Sequence, residues 1–240
     1  MAPTEEVDLG DALEELKSLL RIEDPCSPDA APLDDKVLRR FLVARKGNAV
    51  KACEMYKAYL AYRRRTPHVQ DEDVRVGLSH KKTFLVPGAV EDGTPCFLSI
   101  VNRHVVRDCP AGEAGMYAEY SFRRIANLLD REGYEQTVFI FDFQHFSWDN
   151  LDTRTAAATL KQGQDYHPER LKKAILFKAP TLFWTLWKLI TPLMDAKTKS
   201  KFVFANNADE LQRAGLVLAR APSTMGGGSH EEDWVPIERV

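Results

Sequence analysis

The side chains best placed to do chemistry cluster in FDFQHFSWDNLD, where His145, Asp149 and Asp152 follow closely on an apolar run. A divalent metal could use such a trio, but the spacing fixes no ligand geometry, and loop polarity at the end of a strand is the preferred reading. Asp142 closes the apolar run itself and is expected to cap a neighbouring helix rather than act as an acid. No Gly-x-Ser-x-Gly elbow and no His-Glu-x-x-His helix occurs. MGGGSH lacks the Lys-Ser/Thr of a phosphate loop and reads as a turn opening a flexible tail. Cys26, Cys53, Cys96 and Cys109 form no Cys-x-x-Cys pair and are expected to be reduced, as in a cytosolic protein. No catalytic residue, metal or cofactor is expected.

The elements that must hold these residues follow from hydrophobic periodicity. In the first third, Leu13, Leu16, Leu19 and Leu20 share one helical face. DPCSPDAAP then breaks the chain with three prolines. Asp34 or Asp35 can cap a second helix with a Val37, Leu38, Phe41 and Leu42 stripe, ended near Gly47. Asn48 can cap a third, in which Val50, Cys53, Tyr56, Tyr59 and Leu60 fall near one side and which Thr66-Pro67 stops. Beyond it, TPCFLSIV, QTVFIFDF, KKAILFKAP and KFVFAN read as strands. YAEYSFRRIANLLDRE, DTRTAAATLKQGQDY and ADELQRAGL read as helices between and after them. In the first of these, Tyr117, Tyr120, Ile125 and Leu128 lie on the buried side. Continuous apolar strands alternating with helices predict an α/β fold with a largely parallel sheet.

One segment stands apart. APTLFWTLWKLITPLM, from Ala179 to Met194, is apolar nearly all the way round. It is shorter than the roughly 20 residues a membrane span requires, carries Lys188 in its middle, and contains Pro180 and Pro192. It is therefore expected to be a core helix or one that meets a membrane surface. From Lys161 to Lys201 there are nine basic residues against three acidic ones, whereas the whole chain has a net charge of -2. An apolar helix with a basic border is what an anionic membrane surface attracts. The basic residues lack the interleaved aromatics of a nucleic-acid groove, so no nucleic acid partner is expected. Met1 to Asp11 is acidic with no apolar core, so no secretory signal is expected.

HPERLKKAILFKAPTLFWTLWKLITPLMDAKTKSKF resembles the signature region of the CRAL-TRIO lipid-transfer family. Upstream, LDDKVLRRFLVARKGNAVKACEMY is similar to the helical domain that precedes the lipid-binding domain in that family. DGTPCFL and APSTMGGG resemble its first strand and late Gly-Gly turn. The resemblance runs from about Leu13 to Gly228. It implies an N-terminal helical domain over 1–67, a lipid-binding domain over 68–228 and a flexible tail over 229–240. The implied fold is α/β, with a mostly parallel sheet flooring an apolar pocket and a gate helix closing it. Phe183, Trp187 and Ile190 of the gate would then face the pocket.

The resemblance also carries individual residues. Glu169 and Arg170 match the pair that approaches the inositol phosphate in phosphatidylinositol binders, Thr198 and Lys201 match the Thr and Lys after the gate, and Arg45 matches a basic position of the helical domain. A phosphodiester needs charge-assisted donors, which Arg45, Thr198 and Lys201 can supply. Thr137, Phe139 and Phe141 would line the pocket from the buried strand. The founding member of the family has Ser-x-Thr where this chain has Thr137 and Phe139, so half of a polar pair linked to phosphatidylcholine is missing. His167, Lys178, Val43 and Ala196 also depart from the family pattern. The implied activity is exchange of bound phosphatidylinositol between membranes by a cytoplasmic protein that visits bilayers and catalyses nothing. Two alternatives stay open: a lipid-gated sensor that meets a lipid kinase or other protein, and a carrier of a sterol or tocopherol-like ligand.

Overall fold

The computed structural model describes residues 9–23, 34–66, 68–110 and 112–240. Cys26 and the proline-rich loop around it lie outside the described residues. The chain divides into two compact units: Met1–Pro67 with Gln164–Glu169, and His68–Gly163 with Arg170–Val240. Gln164–Glu169, which a single boundary after residue 67 assigns to the later domain, groups with the first unit.

The first unit holds α1 (Gly10–Glu23), α2 (Asp35–Ala44) and α3 (Ala49–Arg65). Asp34 caps α2 by accepting from the Lys36 amide at 2.8 Å, and Asn48 caps α3 by accepting from the Lys51 amide at 2.9 Å. Each cap satisfies an otherwise orphan donor and is worth about 1 kcal/mol. Leu13, Leu16, Leu38, Phe41, Leu42, Ala52 and Cys53 form the core. The Tyr166 ring stacks on that of Tyr62, with centroids 3.8 Å apart. Val50, expected on the apolar side of α3, is 52% exposed. The buried residues of α3 are Ala49, Ala52, Cys53 and Met55, a face that turns Val50 outward.

The second unit is a sheet with helices on it. Its strands are β1 (Thr83–Leu85), β2 (Cys96–Ile100), β3 (Thr137–Asp142), β4 (Leu171–Phe177), β5 (Phe202–Ala205) and β6 (Val235–Pro236). The helices are α4 (Arg75–Ser79), α5 (Glu113–Glu132), α6 (Thr153–Tyr166, whose last three residues group with the first unit), α7 (Phe183–Ile190), α8 (Ala196–Ser200) and α9 (Ala208–Arg213). The strand order is β5-β4-β3-β2-β1-β6. Pairing is parallel from β2 through β5 and antiparallel on both sides of β1. The α/β class and largely parallel sheet expected from the sequence are observed.

Alternation along the strands sends side chains to two different layers. Leu98, Val138, Ile140, Ile175, Phe177 and Ala205 pack with Leu211, Ala221 and Trp234. Phe97 and Phe139 pack with α5 residues Tyr117, Tyr120, Ile125, Leu128 and Leu129. Phe141, Leu176 and Phe202 pack with α7.

Residues 229–240, expected as a flexible tail, are built into this unit. Val235 pairs with Leu85, and Trp234 is 5% exposed, edge-on to Phe84 with its indole donating to Ser229 at 2.8 Å. Arg103 grips Glu231 with two bonds of 2.9 and 2.6 Å. The glycines before this segment suggested freedom, yet they mark crowding. A Cβ on Gly227 would stand 2.2 Å from the Ala221 carbonyl oxygen, and one on Gly228 2.8 Å from that of Ala219.

Candidate functional site

The sixteen-residue apolar segment does not form one long helix. α7 spans Phe183–Ile190 and passes into a 3-10 turn at Thr191–Leu193 that contains Pro192, a residue with no amide to extend an α-helical ladder. Phe183 and Leu186 are buried, Trp187 and Ile190 are half-buried against the same cluster, and Trp184, Leu189 and Leu193 are exposed by 44%, 50% and 50%. The helix is therefore apolar on two faces. One is held by rings: Phe183 lies 4.7 Å from Phe143, and Trp187 lies 5.4 Å from both Phe202 and Phe204. The other meets solvent. Trp184 stacks on Phe204 of the edge strand at 5.2 Å, which extends the exposed apolar surface beyond the helix.

Aromatic rings line the sheet beneath α5 and α7. Phe97, Phe139 and Phe141 form a row with centroid separations of 5.9 and 5.6 Å. Phe139, Phe141 and Phe202 are only half-buried, and α6 has no fully buried residue. Phe139 and Phe141, expected to line the pocket, are thus partly accessible apolar side chains on the sheet. Thr137 does not share that role. It is 1% exposed, and its hydroxyl donates to the Pro95 carbonyl at 2.8 Å, so its polarity is used within the sheet.

The head-group candidates are distributed. Arg45 follows α2 in the first unit, where its guanidinium donates to the Ala44 carbonyl at 3.3 Å. Glu169 ends the short stretch that groups with that unit and has φ +61°, a strained value for a side-chain-bearing residue. Arg170 opens the next stretch of the second unit. It is 8% exposed and paired with Asp130, and it also donates to the Tyr134 and Glu135 carbonyls at 3.4 and 3.3 Å. Its guanidinium thus fastens the end of α5. The Lys201 ammonium donates to the Leu171 carbonyl at 2.6 Å, which places Lys201 at the start of β4, next in the chain to Arg170. Thr198 lies in α8, its amide bonded to the capping carboxylate of Asp195 at 2.6 Å.

Two buried polar clusters had no signal in the sequence, because their members are far apart in the chain. In the first, the Lys82 ammonium lies 3.3 Å from Nδ1 of His104, and Nε2 of His104 lies 3.4 Å from Asp152. Lys82 also sits over the Tyr117 ring at 4.3 Å. Burial pushes the Lys82 ammonium down. Burial first, and the Lys82 charge second, push His104 down. Burial works to raise Asp152, but hydrogen bonds from Thr155 and His104 outweigh it and hold the carboxyl low. Asp152 also caps α6 by accepting from the Thr155 amide at 2.9 Å. The second cluster is Glu119 of α5, 3% exposed, bonded to Arg123 and to Gln162 of α6.

The trio after β3 does not converge on a metal. Asp152 turns to His104, and among the described residues no group of three His, Cys, Asp or Glu side chains could hold an ion. Asp142 caps no helix. It accepts from the Gln144 amide at 2.9 Å in a local turn, and burial raises its carboxyl. Lys172 and Lys173, counted with the basic border of α7, have partners in Asp92 and the Ala214 carbonyl. Among the described residues no helix is long and apolar enough to cross a membrane.

The CRAL/TRIO domain matches residues 79–220, and the chain belongs to that family. It is 28% identical over 78% of its length to a CRAL-TRIO domain-containing protein of Schizosaccharomyces pombe, covering 45% of that protein. It is 25% identical over 92% of its length to the phosphatidylinositol transfer protein CSR1 of Eremothecium gossypii, covering 51% of it. The chain thus spans about half the length of these curated relatives. Among solved structures, the crystal structure of Sfh5 matches with a TM-score of 0.55 at 14% identity, covering 86% of this chain and 84% of that one, which establishes likeness of fold.

Proposed function

We propose that this chain is a lipid carrier that takes phosphatidylinositol from one membrane and delivers it to another. The observation that carries the reading is the two-faced helix α7. Phe183, Leu186, Trp187 and Ile190 pack with the half-buried rings of Phe141 and Phe202 on the sheet, while Trp184, Leu189 and Leu193 stand in solvent. A helix apolar on both sides has use for a second apolar phase, and a bilayer supplies one. Membership of the CRAL/TRIO family and the name of the Eremothecium relative, a phosphatidylinositol transfer protein, support the same reading.

Energetics set the mechanism. Two acyl chains of about 16 carbons, at ~0.8 kcal/mol per CH₂, would cost roughly 25 kcal/mol to expose to water. The lipid must therefore pass directly between bilayer and protein. In this reading α7 docks through its outer face, swings off the sheet, and admits the chains against Phe139, Phe141 and Phe202. Lys201 and Thr198 of the second unit hold the phosphorylated head, with Lys201 as the principal cation. Arg170 belongs to the set by sequence, but its pairing with Asp130 makes it the clamp of that end of the site. Selection is by binding alone, with no bond made or broken.

The test is lipid loading from mixed vesicles, read by native mass spectrometry with lipid extraction. The parent protein should load phosphatidylinositol, and Lys201→Ala should lose it while remaining folded. Unchanged loading in that variant would discard the head-group assignment. A parent protein that loads no lipid of any kind would discard the carrier.

A further inference from the structure

Basic charge is also concentrated in the helices of the first unit. Between Asp34 and Thr66 there are ten lysines and arginines against three acids, in a chain whose net charge is -2. That excess is carried by α2, α3 and the turn joining them. Lys36, Arg39, Lys46 and Lys51 are exposed, and among the described residues none of the four has an ion-pair partner. Lys51 stands in the first turn of a 17-residue helix that has no acid there, where the helix dipole disfavours a cation. Local helix stability does not account for it.

Two apolar side chains sit among these cations. Val43 is 38% exposed and Val50 52% exposed, one on each side of the turn. Lys36, Arg39 and Val43 follow at helical spacings of three and four along α2, on one face. The turn is a fixed one. Gly47 has φ +79° and donates to the Leu42 carbonyl at 2.9 Å, which closes the end of α2 and starts α3 two residues later. Beside it a cleft of about 370 Å³ is lined by Arg45, Lys51, Glu54 and Met55. A rigid tip with valines between unpaired cations matches the interface of an anionic bilayer, where phosphates meet the cations and the valines enter the acyl boundary.

We infer that the α2–α3 tip is a second membrane contact, specific for surfaces rich in anionic phospholipid and separate from the contact proposed for α7. A nucleic acid fits less well, since the exposed apolar residues of the tip are valines and offer no face on which bases stack.

The test is co-sedimentation of the full chain with vesicles of phosphatidylcholine alone or with about a third phosphatidylserine. Each basic side chain near such a surface changes partitioning roughly fivefold, so Arg39→Gln with Lys51→Gln should weaken binding to the anionic vesicles about 30-fold. Binding to phosphatidylcholine alone should not change. Val43→Ser with Val50→Ser should weaken both, by about tenfold. All four sites are exposed, and unchanged circular dichroism and Tm will show that the variants fold. Parent-like binding of the Arg39/Lys51 variant to anionic vesicles overturns the inference. So does parent binding to duplex DNA as tight as to the vesicles. Trp184→Ser with Leu189→Ser reports on α7 separately: if that variant alone loses the vesicles, the α7 proposal survives and this one fails.

Discussion

Lys82 and Asp152 both bond to the ring of His104, one at each nitrogen, at 3.3 and 3.4 Å. Lys82 precedes β1, His104 follows β2 and Asp152 opens α6, so one imidazole ties three elements of the second unit together. Because the ammonium can only donate, Nδ1 must accept, which leaves Nε2 to carry the proton toward Asp152.

That arrangement makes stability depend on pH. The folded-state value of His104 lies below its ordinary value of about 6.5. The unfolded chain therefore takes up a proton that the folded chain resists. The contribution is fully present above about 6.5 and declines as pH falls from there through the folded-state value. Tm measured between about pH 7.5 and pH 5 should show this fall, and His104→Gln, which does not titrate, should flatten it. A parallel decline in that variant would place the titration elsewhere.

Phe183 is 1% exposed and is held by Phe143 and Trp187 at 4.7 and 5.7 Å. Phe183→Ala should cost about 3 kcal/mol in urea unfolding, the usual penalty for emptying a buried ring site. If α7 moves as proposed, the same variant should also exchange lipid faster, because the helix loses its deepest anchor.

Arg170→Met should separate scaffold from ligand contact. Its partner Asp130 is 57% exposed and is re-solvated readily, so the loss should be about 2 kcal/mol rather than the larger cost of an orphaned buried charge. Lipid loading per folded molecule should stay near the parent value. A collapse of loading without loss of stability would return Arg170 to the head-group set.

Gly227→Ala should destabilise the chain by at least about 2 kcal/mol, because the added Cβ meets backbone at 2.2 Å and one of the two segments must move. Thermal unfolding checks this directly, with Gly115→Ala as control, where a Cβ meets nothing within 4 Å.

What was legible in the sequence follows from how locally each feature is written. VFIF and AILF announce β3 and β4 because strands buried on both faces are apolar throughout, and Asp34 and Asn48 announce the caps of α2 and α3. β1 has three residues and β6 two, too few to show any alternation. The glycine run before β6 reads the same whether it is loose or crowded, and only the Ala219 and Ala221 carbonyls decide the matter. In the site, the apolar character of α7 was plain, but Pro192 shortened the helix. The partner of Arg170 is forty residues upstream and that of His104 forty-eight downstream, distances over which no spacing rule speaks.

The sheet order has a consequence for synthesis. β1 gains its first neighbour within a few residues, when β2 follows, but its other neighbour, β6, leaves the ribosome roughly 150 residues later. At about 5–20 residues per second, this open edge persists for on the order of ten to thirty seconds. During that interval the free amides and carbonyls of β1 are a template for any passing strand. Nascent chains held short of Trp234 should therefore be the form that chaperones recognise and that self-associates. Once β6 is paired, the same edge lies behind two residues.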